Sequence, residues 1–141
     1  MLIPGVDGQK MSKSYGNTIP IFTEERELKK MVMSIVTDSA GINEPKDKDT
    51  PLFKIYSLFL SSEEKKILCD RYDTPGLKYG DIKKELLERI YEYFSPYRQK
   101  REHLLKNLDE VYQALEHGAT KASVVANEYM DKIRKAMGIA Y

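Results

Sequence analysis

Five consecutive residues, Lys10-Met11-Ser12-Lys13-Ser14, lie between Gly8 and Gly16 in a stretch without helical or strand period. Their types suit a polyphosphate. Two lysine ammonium groups are compact charges that can follow phosphate oxygens, and small serines let backbone N–H groups come close. The flanking glycines permit a loop that closes on a nucleotide and later releases pyrophosphate. A second candidate lies far downstream, where Arg98, Lys100 and Arg101 stand beside Tyr93, Phe94 and Tyr97. Cations that meet phosphates, mixed with rings that can stack on bases, are the ingredients of an RNA surface. The arginines are the better RNA candidates, since aromatic residues at helical spacing are usually core and are expected to be mainly buried.

Other reactive side chains lack partners in sequence. Asp38 and Ser39 pair an acid with a hydroxyl but have no nearby base, so helix-end capping is expected of them. His103 and His117 have no metal-ligand spacing, and His117 beside Gly118 suits a helix C-terminus. Cys69 next to Leu68 reads as a buried or half-buried thiol. No metal site is expected.

Helices must carry these groups. Residues 1–22, punctuated by Pro4, Gly5, Gly8, Gly16 and Pro20, read as a loop, with Met1-Leu2-Ile3 compatible with the tail of one strand. Thr23 is the expected cap of a first helix with Leu28, Met31, Val32, Ile35 and Val36 along one stripe, stopping near Gly41. Residues 44–50 form a polar, charged connector. Thr50 and Pro51 open a short helix with Leu52, Ile55, Tyr56 and Phe59 inward. Ser61 and Glu64 have capping-box spacing before a helix that runs to about Tyr72. Thr74-Pro75-Gly76 is a turn, and Tyr79-Gly80-Asp81 leads into a helix carrying Ile82, Leu86, Ile90 and Tyr93 or Phe94. Ser95-Pro96 is expected to interrupt or kink it, with Ser95 capping a new segment. A short helix from Asp109 to Gly118 and a last one from Ala119 to Met137, stopped by Gly138, complete an all-α helical bundle.

Composition bounds the function. With 141 residues, 41% of them hydrophobic and 32% charged, the chain fits one domain of the usual roughly 100–200 residues. No apolar run approaches the ~18 residues of a membrane helix, and the start lacks signal-peptide order. A soluble, cytoplasmic protein is expected. The single cysteine excludes an internal disulfide and a Cys-rich zinc site. A near-neutral total conceals net +3 over residues 96–106, −3 over 107–118 and +2 over 119–141. Clusters of this size alone do not establish nucleic-acid binding.

Lys10 to Ser14 resembles the KMSKS signature loop of class I aminoacyl-tRNA synthetases. A five-residue match arises by chance in about one in 20,000 chains of this length if residues are equiprobable. Lys10 to Asn17 (KMSKSYGN) is also similar to the methionyl, leucyl, isoleucyl, valyl and cysteinyl enzymes. Val36-Thr37-Asp38-Ser39, Pro51 to Tyr56, Gly118 to Ala122 and Ala136 to Gly138 resemble, in order, the tryptophanyl members. Many of those carry Asp after the pentapeptide, where this chain has Tyr15-Gly16-Asn17.

The resemblance implies a C-terminal fragment. Residues 1–22 would be the end of a Rossmann catalytic domain with its ATP-binding loop, Lys10 to Ser14. Residues 23–141 would be an α-helical anticodon-binding domain, with Arg98, Lys100 and Arg101 toward tRNA. Lys10 and Lys13 would be catalytic, holding the triphosphate of ATP while Mg²⁺ assists. The full-length partner set would be ATP, tryptophan, tRNA(Trp) and a second copy in a homodimer. The chain has no HIGH motif, so alone it is expected neither to activate tryptophan nor to charge tRNA. The alternatives are another class I synthetase, of tyrosyl or methionyl/leucyl type, and a stand-alone helical RNA- or protein-binding module.

Overall fold

A computed structural model describes residues 2–139. After a 3-10 turn at Lys13–Tyr15 come α1 (Glu25–Met33), α2 (Pro51–Tyr56) extended by a 3-10 turn at Ser57–Phe59, α3 (Ser62–Asp73), α4 (Tyr79–Lys106) and α5 (Leu108–Ala136). Among the described residues there is no strand, only an isolated antiparallel bridge between Pro4 and Lys10. The all-α expectation holds. Packing divides the chain into two compact units, one ending at Pro96 and one beginning at Tyr97.

The first unit holds the core. Leu28 and Val32 of α1, Leu52 and Ile55 of α2, Leu68 and Tyr72 of α3, and Ile82, Leu86 and Ile90 of α4 are buried together. Their three- and four-residue spacing puts each set on one helix stripe, so each helix closes the apolar face of its neighbours. Phe53 meets Tyr72 edge-on with ring centroids 4.9 Å apart. Local signals start these helices as expected. Thr50 accepts the Phe53 amide ahead of Pro51, and Ser61 and Glu64 form a reciprocal capping box. Gly76, at φ 105°, makes the turn before α4.

Three expectations are corrected. First, Glu24 rather than Thr23 occupies the N-cap position of α1, without a side-chain capping bond, while Thr23 donates its hydroxyl to Glu27, and the helix ends at Met33, well before Gly41. The Val36 amide leaves the helix ladder and bonds the Val6 carbonyl at 2.8 Å, so Ile35 is buried from non-helical backbone and Val36 is exposed. Second, α4 passes unbroken through Pro96. Proline there removes one helix bond, but the position is exposed, so water can satisfy the freed carbonyl of Glu92. Third, α5 runs through Gly118, which leaves His117 in mid-helix rather than at a C-terminus. Gly138 is the stop: at φ 72° it and Ile139 return their amides to Lys135 and Arg134, closing the helix end.

In the second unit, α5 buries no side chain. Tyr112, Leu115, Val125, Tyr129 and Ile133 remain exposed along it. No helix among the described residues is long and apolar enough to cross a membrane.

Candidate phosphate-binding loop

The chain before the pentapeptide doubles back on itself. Gly5 donates to the Gln9 carbonyl at 2.7 Å, Gly8 to Gly5 at 3.1 Å and Met11 to Ile3 at 3.0 Å, while Gly8 takes φ 85°. That reversal brings Lys10 beside Pro4. After it, Tyr15 and Gly16 donate to Ser12 and Lys13, and Gly16 closes the 3-10 turn at φ 65°. Ser12 and Ser14 share a hydroxyl–hydroxyl hydrogen bond of 2.8 Å. Lys10, Lys13, Ser14 and Tyr15 are exposed, and Met11 and Ser12 are half-buried.

Asn17 locks this backbone. Only 2% exposed, it accepts the Ser12 amide on Oδ1 at 2.8 Å and donates from Nδ2 to the Lys10 carbonyl at 3.1 Å and the Asp7 carboxylate at 2.8 Å. Its own carbonyl accepts the Val6 amide at 3.0 Å. A carboxamide suits the position because it carries donors and an acceptor on one rigid plane. The lysines are thus displayed on a backbone pinned at the Lys10 carbonyl and the Ser12 amide. A cavity of about 410 Å³ opens beside Lys10, with Lys48, Lys54 and Lys65 also on its wall above a largely apolar lining that includes Leu58. Lys48 and Lys54 pair with Asp73 at 2.6 Å and Asp49 at 2.7 Å, neither of which lines the cavity.

Asp38 does not cap a helix. Its Oδ1 accepts the Tyr79 hydroxyl at 2.7 Å and the Ala40 amide at 2.9 Å, and its Oδ2 accepts the Asp47 amide at 3.1 Å. Burial opposes ionisation here, yet the Tyr79 hydroxyl, the two amides and the Lys46 ammonium outweigh it and hold the carboxyl below its ordinary value. Tyr79 is pushed up, by burial first and then by Asp38, so it stays a donor. The polar connector at 44–50 is partly interior: Lys46 is 5% exposed, with its ammonium on the Ala40 and Gly41 carbonyls and 5.2 Å from the centre of the Tyr79 ring. The sequence suggests only a capping role for Asp38 and no functional role for Lys46, Tyr79 or Asn17. Asn17 left only a faint signal, an amide residue next to Gly16 that could reach back to Gly5.

The basic cluster lies on α4 beyond Pro96, with Arg98 half-buried and Lys100 and Arg101 exposed. The expected burial of the nearby aromatics is corrected: Tyr93 and Tyr97 are 57% and 56% exposed, and Phe94 is half-buried. Phe59 reaches both first-unit rings edge-on, 5.5 Å from Tyr93 and 6.1 Å from Phe94, which covers one side of each. Cys69 is half-buried, as expected. His103 pairs with Glu110 at 2.9 Å, and no group of three His, Cys, Asp or Glu residues that could hold a metal occurs among the described residues.

A basic loop on a pinned backbone, leading into an all-helical body, is an arrangement of the class I synthetase kind. The family model described as tRNA synthetases class I (W and Y) matches residues 1–95, and the chain belongs to that family. It is 46% identical to the tryptophan–tRNA ligase of Fusobacterium nucleatum over 98% of its own length and 42% of that protein's. For the corresponding ligase of Rhodopirellula baltica the identity is 45%, over 97% and 43%. A crystal structure of tryptophanyl-tRNA synthetase from Campylobacter jejuni, complexed with ADP and tryptophan, superposes with a TM-score of 0.90 at 44% identity, covering 98% of this chain and 44% of that one. The chain thus spans less than half the length of these relatives.

Proposed function

We propose that this chain is the C-terminal portion of a tryptophan–tRNA ligase, which makes tryptophanyl-adenylate from tryptophan and ATP and passes the amino acid to tRNA(Trp). The loop carries the reading: Lys10 and Lys13 are exposed on a backbone pinned by Asn17, and Lys10 lines a cavity together with Lys48, Lys54 and Lys65. The tryptophan carboxylate attacks the α-phosphorus, the α–β bridging P–O bond breaks, and pyrophosphate leaves with its charge. Lys10 and Lys13 hold the triphosphate and stabilise the charge developing on pyrophosphate, with no reorganisation needed if the backbone is already set.

Mg²⁺ supplies charge neutralisation on ATP when bound. Among the described residues no group of three His, Cys, Asp or Glu side chains could hold the ion. Residues 1–22 act as the end of the catalytic domain and 23–141 as the anticodon-binding part, where Arg98, Lys100 and Arg101 meet tRNA. The full-length enzyme acts as a homodimer in the cytoplasm, with the HIGH motif and tryptophan pocket in its other part.

Lys10→Ala with Lys13→Ala in the full-length protein should lower tryptophan-dependent ATP–pyrophosphate exchange by well over tenfold, since each lost transition-state contact is worth ~2–4 kcal/mol. An unchanged rate would remove the loop assignment.

A further inference from the structure

We infer that Asp38 is a positioning residue for the Lys10–Ser14 loop, fastening it to the first residue of α4 through Tyr79 on one side and through the Val36–Val6 backbone bond on the other. The inference deepens the phosphate-loop reading and rests on it for its functional meaning. Both Asp38 carboxylate oxygens are occupied: Oδ1 by the Tyr79 hydroxyl and the Ala40 amide, Oδ2 by the Asp47 amide. Residues 38–47 are thereby closed into a loop. Lys46 fills it from beneath, with its ammonium on the Ala40 and Gly41 carbonyls and its amide on the Tyr72 carbonyl at 2.7 Å. This closed loop is anchored to α3 at Tyr72 and to α4 at Tyr79.

Two residues before Asp38, the Val36 amide donates to the Val6 carbonyl at 2.8 Å. Val6 then donates its own amide to the Asn17 carbonyl at 3.0 Å, and the Asn17 side chain holds the Ser12 amide and the Lys10 carbonyl. Between α4 and the backbone of the lysine loop, every step is a hydrogen bond or a stretch of one to three residues. Gly8 closes on the same segment, since a β-carbon there would lie 3.6 Å from the Val36 Cγ2 methyl and 3.2 Å from Pro51. The early end of α1 has its reason here, because a helical Val36 could not also serve Val6. A change at the start of α4 is therefore transmitted to the loop that carries Lys10 and Lys13.

The test is residue-resolved amide hydrogen exchange on the 141-residue chain. Tyr79→Phe removes one hydroxyl and keeps the ring. It should speed exchange at Val6, Ser12 and Val36 at least fivefold while leaving Leu86 and Ile90 in the core unchanged. A uniform acceleration, or one that stops at residues 36–47, would mean that Asp38 only stabilises the fold and would overturn the inference. Asp38→Asn keeps an acceptor for Tyr79 but turns a donor toward the Asp47 amide. It should speed the same amides at least twofold and carries the test if the phenylalanine variant does not fold; unchanged Ser12 exchange there also overturns the inference. Titration with inorganic pyrophosphate separates the two readings. Wild type should show saturable shifts at Ser12 and Lys13, and Tyr79→Phe at least threefold weaker binding. Failure of wild type to bind overturns the phosphate reading but not the exchange result, whereas equal binding by both proteins overturns the positioning role.

Discussion

Asn17 fills the space that a side chain at position 5 would need. A β-carbon on Gly5 would lie 2.4 Å from the Asn17 carboxamide and 2.8 Å from its backbone oxygen, so glycine here is a matter of close approach. Gly5→Ala should lower the stability of the first unit by ~1–3 kcal/mol by forcing the carboxamide aside. Asn17→Ala should cost about as much, since it strands the Ser12 amide and the Lys10 carbonyl. In the double variant, urea denaturation should show a penalty below the sum, because alanine at 17 vacates part of the space. Additive losses would mean that the two residues do not compete for it.

Gly118 lies inside α5 with nothing within 4 Å of where its β-carbon would be. Gly118→Ala should therefore strengthen the helix by ~1 kcal/mol, the ordinary difference between the two residues in a helix interior. Hydrogen exchange at amides near residues 116–122 should slow about fivefold. Faster exchange would show that the glycine serves a bend or a contact.

Glu85 joins three elements: Arg71 of α3 donates to both its oxygens at 2.8 Å, and Tyr56 of α2 donates to Oε2 at 3.2 Å. The Arg71 hydrogen bonds foremost hold its carboxyl below the ordinary 4.5. A group depressed in the folded state stabilises above its unfolded pKa, and that contribution is lost as pH falls through the lower folded value. Because both side chains are over a third exposed, Glu85→Gln should cost only ~1 kcal/mol at pH 7 after solvent screening. Urea midpoints of wild type and variant should converge as the pH drops below 4.5; a constant gap would place the effect in packing instead of charge.

Arg98→Ala with Arg101→Ala, in the full-length protein, should weaken tRNA(Trp) binding and lower the slope of log affinity against log salt by about 2, one for each lost phosphate contact. Filter binding over a salt series reads both quantities. Equal affinity for variant and wild type would send the RNA to another surface.

Local chemistry was legible at three helix ends where a few neighbouring residues decide the outcome. The Ser61–Glu64 box, the Thr50-Pro51 start and the Gly138 stop each satisfy orphaned backbone groups within one turn, so the residues that form them stand together in sequence. Leu28 with Val32, and Ile82 with Leu86 and Ile90, announced the core by period alone. Pro96 and Gly118 misled because propensity acts on a single residue, whereas α4 and α5 average over whole helices of strong formers.

By itself the sequence determined an all-helical body and a two-lysine loop of types suited to a polyphosphate, because helix period, caps and residue chemistry are local properties. Only the tertiary structure decided how that loop is held. The Asp38–Tyr79 bond spans 41 positions, the Gly5–Asn17 fit joins two ends of one loop, and the interior place of Lys46 depends on carbonyls and a ring from other segments. Such pairings arise when the folded backbone brings donors to acceptors, and no spacing rule connects the residues beforehand.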